Sequence, residues 1–71
     1  MLARLGANLE RERKAAGLTQ ERLAEMVDLH PRVLQKIEAG ESGMKVTTLF
    51  RLQAALACSW EKIAAGVSSA G

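Results

Sequence analysis

The chain has 71 residues, 48% of them apolar and 25% charged, which suits one small folded domain and excludes a disordered polar chain. Phe50 and Trp60 are the only aromatic residues, so a surface that stacks single-stranded bases is excluded. Cys58 and His30 are single representatives of their types, so an internal disulfide and a metal site are excluded as well. The net charge of +2 is unevenly spread: residues 31–51 set Arg32, Lys36, Lys45 and Arg51 against Glu38 and Glu41. No apolar run is long enough for a signal peptide or a membrane span, and the expected location is cytoplasmic.

From Leu2 to Ala16, Leu2, Leu5 and Leu9 recur at helical spacing with charges between them, and Gly17 stops the helix. Thr19 is placed to cap a second helix, Gln20 to Val27, with Leu18 and Leu23 positioned as a hydrophobic staple. Leu23, Ala24, Met26 and Val27 share its apolar face. Pro31 cannot continue that helix but suits the first turn of another, so the chain turns at Asp28–His30. Asp28 is among the few non-glycine residue types that tolerate a left-handed conformation. Helix three then runs from Pro31 to about Ala39 and stops at Gly40. The loop "GESGMKV" follows, then a fourth helix over 47–57 carrying Leu49, Leu52 and Leu56. Ser59 can cap a fifth, "WEKIAAGV", with Trp60, Ile63 and Val67 as its stripe. No internal repeat or second domain is visible in residues 1–71.

On helix three, Leu34 and Ile37 point inward, while Arg32, Gln35 and Lys36 span about 100° of the opposite face. Such a helix fits the major groove of B-form DNA, where arginine or lysine reads guanine, glutamine reads adenine, and Val33 at the edge can touch a thymine methyl. The start of helix two, with its free N–H groups and Gln20, suits phosphate, and Lys45 stands in the loop on the other flank. His30 is either an ordinary turn residue or a phosphate contact.

The run "LTQERLAEMVDLHPRVLQKIEAG", together with "LGANLERERKAAGLTQ" before it and "TLFRLQAAL" after it, resembles the helix-turn-helix of the phage-repressor and Cro type, the XRE family. The likeness extends from Leu5 to about Ile63. It implies an all-α, compact five-helix, lambda-repressor-like domain over 1–71, with the helix-turn-helix at about 19–39. It implies that Pro31, Arg32, Val33, Gln35 and Lys36 face bases, and that Gln20 and the loop from Gly40 to Lys45 meet phosphate. It also pairs Arg13 with Glu38. Three positions depart from the family pattern: Asp28 and Ala57 stand where glycine is usual, and His30 where a Ser or Thr cap is usual.

The expected function is sequence-specific binding of double-stranded DNA by a transcriptional regulator, a repressor acting as a homodimer on a palindromic operator, with no cofactor and no membrane. Trp60, Ile63 and Val67 are the candidate dimer contacts, because tryptophan is enriched at interface hot spots. The competing reading is a protein-interaction module or an antitoxin with a toxin partner. The chain lacks a catalytic constellation, so an enzyme is not expected.

Overall fold

The computed structural model describes residues 2–67. Five helices follow in order: α1 Leu2–Ala15, α2 Gln20–Met26, α3 Pro31–Glu38, α4 Val46–Leu56 and α5 Trp60–Ile63. Among the described residues there is no strand. The body measures 34 × 22 × 19 Å. Its core consists of Leu9, Leu23, Ala24, Val27, Leu34, Ile37, Leu52, Leu56 and Ile63, drawn from every helix or helix end.

The first three helices end in the same way. At the end of α1, the Gly17 N–H donates to Lys14 O and the Leu18 N–H to Arg13 O. At the end of α2, Asp28 and Leu29 donate to Glu25 O and Ala24 O. At the end of α3, Gly40 and Glu41 donate to Ile37 O and Lys36 O. This two-bond closure satisfies carbonyls that a helix end otherwise leaves bare, and it requires a left-handed residue just past the cap. Gly17 and Gly40 supply it at φ 73° and 75°, and Asp28 supplies it at φ 58°. Leu18 and Leu29, the residues that follow Gly17 and Asp28, pack against the core, so these two closures also turn the chain inward, whereas Glu41 after Gly40 is exposed.

The starts of α2, α3 and α5 are capped by side chains. Thr19 Oγ1 accepts from the Arg22 N–H at 3.0 Å, and Ser59 Oγ from the Lys62 N–H at 3.3 Å. At the head of α3, His30 Nδ1 accepts from the Arg32 N–H at 3.0 Å. The imidazole therefore does the work usually left to a serine or threonine oxygen.

The fifth helix is shorter than its stripe predicts, ending at Ile63 instead of continuing to Val67. The cause lies on α1. Asn8 Nδ2 donates to Ile63 O at 2.8 Å and to Ala65 O at 2.7 Å, and Arg11 donates to Lys62 O at 2.9 Å. Carbonyls that a longer helix would use internally are taken by α1, and Gly66 turns the chain at φ 75°. Ile63 also moves from the expected outer stripe into the core, at 1% exposure, so it is withdrawn as a dimer contact. Val67 is half-buried and lies beyond the helix.

Candidate nucleic-acid interface

Helix α3 has eight residues, too few to persist in water on their own, so its outward face depends on what holds its back. Leu34, Ile37 and Glu38 are buried beneath it, and Pro31, Arg32, Val33, Gln35 and Lys36 are exposed on the other side. The Arg32, Gln35 and Lys36 side chains make no hydrogen bond or ion pair among the described residues. Their donors remain free for a ligand, on a rod supported from behind by α1 and α2.

The support from α1 is very close. A Cβ placed on Gly6 would stand 2.4 Å from Ile37 O and 2.5 Å from Glu38 O, so the two backbones meet with no room for a methyl group. Gly40 comes equally near the first turn of α1, where an added Cβ would lie 2.6 Å from the Ala3 Cα. Sequence patterning does not single out Gly6, since a glycine within a helix shows only its weak propensity until its neighbour is known.

Arg13 fastens the same corner. Its Nε and Nη2 donate to the Glu38 Oε2 and Oε1 at 2.8 and 3.1 Å, and its Nη1 donates to Leu18 O at 2.8 Å. Both side chains are buried, and a pair like this fixes geometry more than it adds stability. Gln20 does not point freely outward: its Nε2 donates to Glu38 Oε1 at 2.9 Å. His30 stands exposed at the turn, with Nδ1 engaged as the α3 cap. Lys45 is exposed at the head of α4 and makes no capping bond with its side chain.

A second surface is apolar. Trp60 is 41% exposed and meets Phe50, 56% exposed, edge to face at 5.1 Å between ring centres, with Val46 exposed on the same helix as Phe50. Phe50 and Val46 are not among the sequence candidates. Their four-residue spacing, separate from the inward Leu49, Leu52 and Leu56 set, is the signal that marks them.

A turn between two short helices, with the second presenting exposed donors on a braced rod, defines the helix-turn-helix class of DNA-binding domain. The chain belongs to the helix-turn-helix family HTH_3, whose family model matches residues 9–63. This is a family of DNA-binding transcriptional regulators. The chain is similar to the restriction-modification controller protein C.AhdI from Aeromonas hydrophila, at 27% identity and TM-score 0.82 over 87% of this chain and 94% of that one. It is similar to the clp gene regulator ClgR from C. glutamicum, at 30% identity and TM-score 0.82 over 86% of this chain and 78% of that one. It also resembles an HTH_3 family transcriptional regulator from Vibrio cholerae, at 27% identity and TM-score 0.79 over 89% of this chain but 35% of that one. Among curated proteins, none matches the chain. No helix among the described residues is long and apolar enough to cross a membrane.

Proposed function

We propose that the chain represses transcription as a homodimer on a palindromic operator, with α3 in the major groove of each half-site. The observation that carries this reading is the exposed, unengaged set Arg32, Gln35 and Lys36 on a helix whose opposite side is buried. Arginine and lysine donors fit guanine O6 and N7, glutamine fits adenine N6 and N7, and Val33, at 42% exposure, offers an apolar contact for a thymine methyl. Pro31 opens the base-facing turn. Gln20, His30, Gly40 and Lys45 flank it and would meet phosphate on either side, fixing register without reading sequence.

The dimer is proposed through Val46, Phe50 and Trp60, with Val67 at its margin. An exposed Phe–Trp pair on so small a body is apolar area that a second copy can cover, and tryptophan is a frequent anchor of such contacts. Two copies would place two recognition helices on half-sites about 34 Å apart. The similarity to a restriction-modification controller and to a gene regulator supports the regulatory reading. A toxin partner has no comparable support.

Selection of bound duplexes from a random pool tests the proposal. A palindromic consensus is expected, and Arg32→Ala or Lys36→Ala should each reduce discrimination against random duplex by about 1–3 kcal/mol. Equal weakening on all sequences would reassign these side chains to phosphate. Failure to enrich any duplex would overturn the function itself.

A further inference from the structure

We propose that Arg13 and Glu38 form a positioning relay for Gln20, aiming its amide at the DNA backbone. The inference rests on the reading that Gln20 meets phosphate. Glu38 Oε1 receives two donors, Arg13 Nη2 at 3.1 Å and Gln20 Nε2 at 2.9 Å, while Arg13 Nε holds the other carboxylate oxygen at 2.8 Å. An ion-paired carboxylate can only accept, so the end of the Gln20 side chain facing it is the NH2 group. One of the two amide protons is therefore committed inward. The second leaves the same nitrogen in a direction the first bond dictates. Gln20 itself is only half-buried, so that second proton has access to solvent and to whatever stands against the start of α2.

The arrangement also settles a charge conflict. A bare Glu38 carboxylate this close to a phosphate-binding donor would repel the phosphate, but the Arg13 guanidinium neutralises it at the same two oxygens. Because Glu38 ends α3 and Gln20 begins α2, the relay ties the phosphate contact to the placement of the recognition helix. A duplex that seats α3 correctly finds the Gln20 donor already in register. A flexible glutamine would have to lose rotamer freedom on binding, which weakens the contact.

The test uses four proteins on the duplex that the wild-type protein enriches from a random pool: wild type, Gln20→Ala, the Arg13→Met/Glu38→Leu double variant, and the triple variant. Replacing both charges with apolar groups avoids stranding one of them in the interior, and thermal unfolding confirms that the variants fold. Losing one hydrogen bond to an anion should weaken wild-type binding about tenfold or more with Gln20→Ala, and by less than about twofold in the double-variant background. The same loss in both backgrounds overturns the relay while leaving the phosphate contact intact. No loss in the wild-type background overturns both. If nothing is enriched from the pool, the DNA-binding reading falls and the relay's purpose with it. NMR of the free wild-type protein gives an answer that needs no variant to fold. One Gln20 side-chain amide proton should be displaced from its position in a solvated glutamine and be slow to exchange. Two protons with the shifts of a solvated glutamine would refute the relay.

Discussion

Replacing Gly6 with alanine reverses the sign of an ordinary helix substitution. In an exposed helix, alanine for glycine stabilises by up to about 1 kcal/mol through propensity alone. Here the new methyl would lie 2.4 Å from Ile37 O and 2.5 Å from Glu38 O, whereas Cβ atoms essentially never come within 3.0 Å of such a neighbour. Both obstacles are backbone, so no side chain can swing aside, and α1 must part from the end of α3. With two backbone oxygens this far inside the contact limit, overpacking falls in the upper part of its range, about 2–3 kcal/mol, which outweighs the propensity gain and leaves a net loss of about 1–2 kcal/mol. In a domain this size each kcal/mol moves the midpoint by about 4–8 °C, so thermal unfolding followed by circular dichroism should show a fall of about 5–15 °C. Gly43→Ala is the control, because its Cβ would meet nothing within 4 Å and its φ is not positive. It should leave the midpoint unchanged or slightly raised. A Gly6→Ala protein as stable as the Gly43→Ala control would refute the close approach and the support it gives to the recognition helix.

Asn8→Ala should lower stability by about 1–3 kcal/mol, because Ile63 O and Ala65 O would lose the donor they share; chemical denaturation with an unchanged midpoint would contradict this. Ala57 sits at φ 52° past the end of α4, a conformation that costs a non-glycine residue about 1–2 kcal/mol. Ala57→Gly should therefore raise the melting midpoint by a few degrees after its own entropy loss of about 0.5–1 kcal/mol, and a lowered midpoint would refute the strain. Trp60→Ala together with Phe50→Ala should shift sedimentation from dimer to monomer with the helical spectrum intact; an unchanged mass places the interface elsewhere. Burial, with Glu12 nearby, holds the Cys58 thiol above its ordinary range. The folded state thus favours the neutral thiol, a contribution present below the unfolded pKa and lost as pH rises through the folded one. Alkylation of Cys58 should show a higher pH midpoint in folded than in urea-unfolded protein, and coincident midpoints would sink the assignment.

The five helices and the turn between the second and third were legible because each rests on local chemistry. Leucine spacing gave the faces, Gly17 and Gly40 gave the stops, and Pro31 marked where α3 could begin. Features that depend on a distant partner were not legible. The His30 cap, although local, was not legible either: its Nδ1 accepts the hydrogen bond of the Arg32 N–H two residues on, a role that residue preferences alone rank low. Ile63 reads as part of an outer stripe until Asn8 and Arg11 are known to take the carbonyls that would have extended α5. Gln20 reads as a free donor until Glu38 is found beside it.

The same distinction explains why α1 matters to the recognition helix. Local pattern assigns the bracing of α3 to α2, its partner across the turn, and that contact fixes the beginning of α3 through Leu29 and the His30 cap. A rod held only at its start could still swing at its far end, where Gln35 and Lys36 stand. The far end is fixed from α1 instead, by the Gly6 contact, the approach of Ala3 to Gly40, and the Arg13 bonds to Glu38. An eight-residue helix with little stability of its own thus becomes a rigid reader only when both ends are held. Loosening the α1 side should therefore reduce sequence discrimination before it abolishes folding.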